Sequence, residues 1–421
     1  MDNLPTKIKK LGLVLTGGGS LGSYEVGAIE VLKKHGYKFD IVTGTSIGAL
    51  NGAFYMGGQE DNLRMLWSNI TPTKVMVDGF NFNSKQLTNP SSDNFKIVKQ
   101  WSLQYVKNGI GADITPFKHY IRTSLDVDKC MESNIKLGIE MAKFPSLSAV
   151  DMNMNMIKDK DLFLSLLHAS SACFPVFPIE TINNTKYVDG FYNDNVPMRL
   201  AFEYGADELF VIDMRLFDQK PQHKFYLKLP NVHYIAPYSS LGSMLDFSQE
   251  SIQKSMKLGE LDTKKFFKEY RGFYFAFKDV ELVDGFLSYV LHSNGVRSEY
   301  ILNELSNGIR TQMDETDYYI RSIEAIALRL DIDNYYEAYS IEEFKQIIIK
   351  KIREINDENA LKPLFSRGLQ IISESLDISN SKTKINYLIK FSVDYLNLVD
   401  ENGKPLLTES MLYKRQKRSK E

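Results

Sequence analysis

Two glycine-broken passages from strand to helix, both within the first 60 residues, constrain this chain more than any other feature. Leu11–Thr16 is a short apolar run that ends in Gly17-Gly18-Gly19, and a helical stretch follows from about Ser20 to Lys34, closed by His35-Gly36. Phe39–Thr43 is a second apolar run, ending in Gly44, and Ile47–Tyr55 reads as a second helix. Strand, helix, strand, helix with short connections implies a right-handed parallel βαβ unit whose strands are buried on both faces. Further strands are expected at Ile135–Met141, Phe177–Ile182 and Glu208–Asp213, with helices near Lys160–Ser171 and Pro197–Tyr204. The fold class is therefore α/β in the first half. From about Leu241 long amphipathic stretches take over. Ser340-Ile341-Glu342-Glu343 is a capping box, and Ile341, Phe344, Ile348, Ile352 and Ile355 follow at helical spacing, the stripe of a helix packed on a core. The expected division is an α/β domain over 11–215, a connecting segment over 216–240 where Lys, Gln and Pro collect, and a mainly helical region over 241–421.

With 421 residues, 43% hydrophobic and 25% charged, the chain buries a sizeable core and is long enough for two or three domains. Its 51 basic and 53 acidic residues nearly cancel, which excludes a nucleic-acid grip built on overall charge. Cys130 and Cys173 are the two cysteines, too few for a disulfide framework or a cysteine-rich zinc site, and a reducing compartment is the default. The apolar run Leu11–Leu15 is too short for a signal peptide. Ile41–Gly58 and Leu162–Ile179 lack charge, but the first is broken by glycines and the second by Pro175 and Pro178, so neither reads as a membrane helix. The expectation is a soluble, cytoplasmic protein, with peripheral membrane contact left open. The tail Lys414-Arg415-Gln416-Lys417-Arg418-Ser419-Lys420 reads first as a solvated terminus and second as a contact for an anionic bilayer. Asp331-Ile332-Asp333-Asn334 lacks the glycine and glutamate offsets of a calcium loop, and no metal-ligand cluster stands out.

Gly44-Thr45-Ser46-Ile47-Gly48 is a G-x-S-x-G pentapeptide at the end of a strand and the start of a helix, the context that a nucleophile elbow needs. A sharp strand-to-helix turn projects the serine hydroxyl away from the sheet, and the helix N-terminus favours the negative charge that develops on attack. The plain alternative is a glycine-rich packing turn with an incidental serine. Gly17-Gly18-Gly19-Ser20-Leu21-Gly22 fits G-x-G-x-x-G after a strand, but the acidic residue of a dinucleotide site is missing from the far end of the second strand. Asp40 lies at the opposite end, and no Lys-Ser/Thr pair completes a Walker A loop. The better use of the loop is as an oxyanion hole, with the backbone N–H groups around Gly17, Gly18, Gly19, Ser20 and Gly22 turned toward a developing charge.

A serine nucleophile needs a base. A triad in hydrolase order would recruit His223, His233 or His292, while His35, His119 and His168 stand in no catalytic context either. An aspartate is the other choice, and Val-Asp-Gly-Phe occurs three times, with Asp78, Asp189 and Asp284, so the tetrapeptide alone does not choose. Only Asp189 lies between Ala169-Ser170-Ser171-Ala172-Cys173-Phe174-Pro175-Val176-Phe177-Pro178 and Asn193-Asp194-Asn195-Val196-Pro197. Taken together, the glycine loop, the elbow, the Ala-Ser-Ser-Ala…Phe-Pro segment and Asp189-Gly190 with Asn-x-Pro, in this order over about 200 residues, resemble the patatin-like phospholipases.

That resemblance implies a three-layer α/β/α domain with a mostly parallel sheet, and a serine acyl hydrolase that uses a Ser–Asp dyad without histidine. By position, Ser46 is the nucleophile, Asp189 its partner, Gly190 part of the base motif, Gly44 and Gly48 the elbow glycines, and the 17–22 loop the oxyanion hole. It implies hydrolysis of phospholipid or other lipid esters through an acyl-enzyme, with no cofactor and no metal. Two departures stand out: Leu21 occupies a loop position where many members carry Arg or Lys, and Phe191 stands where Gly or Ala is usual. The alternatives are an esterase or thioesterase on small acyl substrates, or a catalytically silent lipid-binding scaffold.

Overall fold

The computed structural model describes residues 9–77, 111–215, 221–360 and 382–413; Asp78 and the basic tail from Lys414 lie outside them. The chain divides into two compact units, Met1–Thr263 and Lys264–Glu421.

The first unit is built on one mixed sheet. Its strands are β1 (Leu11–Leu15), β2 (Ile41–Thr45), β3 (Lys136–Lys143), β4 (Ala149–Asn153), β5 (Glu180–Ile182), β6 (Thr185–Asp189), β7 (Glu208–Ile212) and β8 (Val232–Ile235). Hydrogen-bonded neighbours follow the path β5-β6-β3-β2-β1-β7-β8, and β4 pairs with β3 along the edge that β2 and β6 leave free. The pairings of β1 with β2 and β7, β2 with β3, and β7 with β8 are parallel, whereas β4 and β6 meet β3 antiparallel. The parallel strands expected from the apolar runs are present, with β1 and β2 almost wholly buried. The antiparallel strands β4 and β6 give no comparable apolar run and were not expected. Only Glu180–Ile182 of the run Phe177–Ile182 is strand, because Phe177 N–H turns back to Cys173 O and Pro178 has no N–H to give to a ladder.

Alternation along the strands assigns the layers. Helix α1 spans Ser23–Lys34 and α2 spans Ile47–Met56. Gly52 of α2 sits against Leu15, Val42 and Leu137, which share one face of the sheet. On the opposite face Gly12 and Gly138 receive Ala201, Leu200 and Tyr204 from the helix Met198–Glu203 and the turn after it. The result is α/β/α layering. The expected first helix is resolved into a 3₁₀ turn, Gly19–Gly22, followed by α1. The unit also takes in β8, which falls within the stretch read as a connection, and most of the helix Gln249–Phe266. That helix packs tightly on α1: a Cβ at Gly27 would lie 2.0 Å from Met256 O, and one at Gly259 would lie 1.9 Å from Tyr24 O.

The second unit is mainly helical, with helices Phe286–Asn294, Ser298–Ser306, Glu315–Arg329, Ile341–Ala360, Lys382–Asp394 and Glu409–Tyr413 and one short parallel pair, Ala276–Phe277 with Ala338–Tyr339. The capping box holds: Glu343 N–H donates to Ser340 Oγ and Ser340 N–H to the Glu343 carboxylate. Phe344, Ile348, Ile352 and Ile355 are buried as their spacing implies, around an aromatic core with Phe275, Phe277, Phe286 and Phe391. Among the described residues no helix is long and apolar enough to cross a membrane.

Candidate active site

Ser46 follows β2 and caps α2 with φ 56° and ψ −124°, a conformation costly for a residue with a Cβ. The chain reaches it because its neighbours are small. A Cβ on Gly44 would lie 2.5 Å from the Gly48 carbonyl, and one on Gly48 would lie 2.7 Å from the carbonyl oxygens of Leu15 and Thr16. Strand, turn and helix are thus pressed together, and the serine stands at the C-terminal end of a central strand. Ser46 is 7% exposed.

The register of β3 explains what the hydroxyl meets. Both β2 and β4 pair with Gly138–Glu140, and both β4 and β6 pair with Met141 and Ala142. One strand edge holds one partner at a time, so β2 and β6 occupy the same edge of β3, end to end. Thr45 lies opposite Glu140, and Asp189 lies opposite the next residue, Met141. The last residue of β6 therefore arrives beside the first residue after β2. Ser46 Oγ donates to Asp189 Oδ2 at 2.6 Å.

Asp189 is buried, and burial lifts its carboxyl to about 7, against hydrogen bonds from Phe191 N–H and the Ser46 hydroxyl that pull the other way. Phe191 N–H reaches Oδ1 at 3.0 Å. This contact uses the backbone, so the unusual side chain at 191 does not disturb it; the Phe191 ring lies against Tyr192 instead. Among the described residues no imidazole is a hydrogen-bond partner of Ser46 or Asp189. His168 is buried, and its Nδ1 has no hydrogen-bond partner among the described residues. His233 pairs with Glu208, and His292 Nδ1 lies 2.7 Å from Ser288 O. Asp284 is exposed before the helix Phe286–Asn294.

The segment before β6 contributes a tie that sequence reasoning did not assign. Ser170 Oγ accepts the Ser46 N–H at 3.0 Å and donates to Glu140 O at 2.7 Å, pinning the Ser46 backbone to β3. Asn195 makes a two-way clasp with the glycine loop: its Oδ1 accepts Gly17 N–H at 3.0 Å and its Nδ2 donates to Gly17 O at 3.3 Å. A Cβ on Gly17 would lie 3.0 Å from Ser46 Cβ, which measures how closely the loop passes Ser46.

The loop's amides are not equivalent. Gly17 N–H is taken by Asn195, Ser20 N–H by Met244 O at 2.9 Å and Leu21 N–H by Gly18 O at 3.1 Å. The N–H groups of Gly18 and Gly19 have no acceptor among the described residues. Gly19 holds φ 56°, and a Cβ there would lie 2.3 Å from Met244 O, so the backbone conformation and the packing both call for glycine. Leu21 is buried.

Beneath the loop lies a buried carboxyl that the sequence gave no reason to single out. Thr16 N–H donates to Glu25 Oε1 at 2.7 Å, and Asn51 Nδ2 donates to Glu25 Oε2 at 2.8 Å. Burial lifts Glu25 to about 8.

Residues 13–202 match the patatin-like phospholipase family. Among curated proteins, lysophospholipase NTE1 of Candida albicans is 25% identical over 230 residues, covering 50% of this chain and 13% of that protein. Lysophospholipase NTE1 of Debaryomyces hansenii is 49% identical over 212 residues, covering 50% of this chain and 12% of that protein. The chain thus spans about an eighth of the length of these relatives. Among solved structures, VipD from Legionella pneumophila aligns with 96% of this chain and 90% of its own, at 12% identity and a TM-score of 0.39.

Proposed function

We propose that this chain, which belongs to the patatin-like phospholipase family through residues 13–202, hydrolyses carboxylic esters of lipids by a Ser46–Asp189 dyad, as a phospholipase A or lysophospholipase. The reading rests on the 2.6 Å hydrogen bond from Ser46 Oγ to the buried Asp189 carboxylate. Asp189 accepts the hydroxyl proton as Ser46 attacks the ester carbonyl. A carboxylate at its solution pKa is a weak base, and burial corrects this by bringing Asp189 to about 7. The oxyanion donors are the N–H groups of Gly18 and Gly19, since those of Gly17 and Ser20 already hold the loop in place. The N-terminus of α2 adds its positive end beneath the reacting carbon. The proton on Asp189 then passes to the departing alcohol or lysolipid. A water molecule, deprotonated by the same carboxylate, cleaves the acyl-enzyme.

The lipid substrate is supported by the family match and by the lysophospholipase relatives. The test is fatty-acid release from mixed phospholipid vesicles, alongside hydrolysis of a short-chain p-nitrophenyl ester, in wild type, Ser46→Ala and Asp189→Asn. The expected result is turnover of vesicles that both substitutions abolish. Turnover of the short ester alone would keep the dyad but move the substrate to small esters or thioesters. Activity that survives in Asp189→Asn would overturn the dyad.

A further inference from the structure

The glycine loop is tied at both ends to one buried pair of side chains. Glu25 Oε1 accepts the N–H of Thr16, the residue just before the three glycines, at 2.7 Å. Asn51 Nδ2 donates at 3.0 Å to the carbonyl of Gly22, the last residue of the loop, and at 2.8 Å to Glu25 Oε2. Trp67 Nε1, from the helix Glu60–Asn69, donates at 3.0 Å to Asn51 Oδ1 and so fixes which way the amide faces. Glu25 is 0% and Asn51 is 1% exposed, so neither side chain meets solvent. Asn51 also stands on α2, one turn beyond Ser46, so the same pair joins the loop to the helix that carries the nucleophile.

We infer that Glu25 and Asn51 are positioning residues that hold the 17–22 loop in register with Ser46, so that the Gly18 and Gly19 N–H groups meet the developing oxyanion. The inference rests on the dyad reading above. The pair touches neither substrate nor reacting atoms. Its reach is geometric: the loop's outer ends are fixed by Thr16 and Gly22, while Asn195 fixes Gly17 and Met244 fixes Ser20. Both oxygens of Glu25 face N–H donors, which draw the group toward its carboxylate form against the burial that lifts it to about 8. Asp213 is the charged group that acts on Glu25 from the end of β7, and it is itself engaged by Tyr234 Oη and by Arg215 N–H. Glutamine at 25 would keep the acceptor for Thr16 but turn an NH₂ toward the NH₂ of Asn51, whose orientation Trp67 holds.

The experiment compares wild type, Glu25→Gln, Glu25→Ala, Asn51→Ala and the double alanine variant on a soluble ester. It reads kcat and KM per titrated active site, the Ki of a trifluoromethyl ketone that forms an oxyanion with Ser46, and Tm. Loss of an oxyanion donor typically lowers kcat about 10²–10³-fold. The expected result is a fall in kcat of up to that size in each alanine variant, with KM within about threefold and the ketone's Ki rising in step with the fall in kcat/KM. The double variant is expected to lose no more than the worse single variant, as members of one clamp do. Glu25→Gln should fall between wild type and alanine, and if the alanine variants do not fold, this isosteric change decides alone. A folded Glu25→Gln with unchanged kcat and Ki overturns the inference. So does a fall in kcat without a rise in Ki, or additive losses in the double variant, since a simply less stable fold would give either. A wild type without turnover would take down the dyad reading and this one together; an active wild type with indifferent variants takes down this one only.

Discussion

Asp189→Asn should make the protein both inactive and more stable, and the size of the second effect follows from the site. Burial raises the Asp189 carboxyl from 3.8 to about 7, so the folded chain holds this proton more tightly than the unfolded chain does. Below pH 4 the group is neutral in both states and carries no penalty. Between pH 4 and 7 the unfolded chain releases the proton first, and stability falls as pH rises; above 7 the penalty is complete. At 1.36 kcal/mol per pKa unit, the full shift is worth about 4 kcal/mol, an order-of-magnitude ceiling. Asparagine removes the charge yet keeps the partners: its oxygen can accept the Phe191 N–H and its NH₂ can donate to Ser46 Oγ. Glu25 and Glu140 are also lifted, so the wild type's own pH slope mixes several groups. The difference between variant and wild type isolates Asp189. The assay is urea or thermal unfolding of both proteins at pH 4, 6 and 8, with ester turnover at pH 8. The variant's advantage should be near zero at pH 4, reach a few kcal/mol at pH 8, and accompany a loss of turnover of at least about 10³-fold. An advantage that does not change with pH, or a variant less stable at pH 8, would refute the argument that burial tunes this carboxyl.

Other consequences concern the backbone around Ser46 and Asp189. Ser46→Gly should be more stable than Ser46→Ala by about 1 kcal/mol, because glycine accepts φ 56° without strain, while both lose turnover; equal stabilities in denaturant titration would contradict the strained elbow. Ser170→Ala removes the acceptor of the buried Ser46 N–H and a donor to Glu140 O, and should cost about 1–3 kcal/mol of stability and lower kcat, as unfolding and steady-state kinetics would register. Gly190→Ala would put a Cβ 2.4 Å from Glu140 O, where β6 leaves the sheet, and should depress kcat on a soluble ester far more than KM; unchanged kcat would mean that Asp189 tolerates displacement.

Much of this molecule is written in local sequence. The parallel strands β1, β2, β3 and β7 are apolar runs because they are covered on both faces, and the glycines around the ends of β1 and β2 let the chain turn tightly into a helix. The stripe of Ile341, Phe344, Ile348, Ile352 and Ile355 and its capping box are likewise local, set by the helical period and by the first-turn N–H groups. Periodicity missed β4 and β6, since short, partly exposed antiparallel strands have no apolar run to announce them.

What only the tertiary structure supplies is how the side chains of the site come to touch. Three Val-Asp-Gly-Phe segments are equivalent as strings, and residues alone left histidine or aspartate open as the base; the family pattern singled out Asp189. In the structure its place beside Ser46 comes from β2 and β6 sharing one edge of β3, a long-range register that no local pattern encodes. The same holds for the loop. Its glycines announce a turn, but which N–H groups stay available depends on Asn195 and Met244, both more than a hundred residues away along the chain. Glu25 belongs to this second class as well. On paper it is one acid in the first turn of a helix, and only burial beneath the loop, between Thr16 and Asn51, gives it a role. Sequence fixes which segments turn, cap and pack; hydrogen-bond partners drawn from opposite ends of the chain exist only once the sheet has closed.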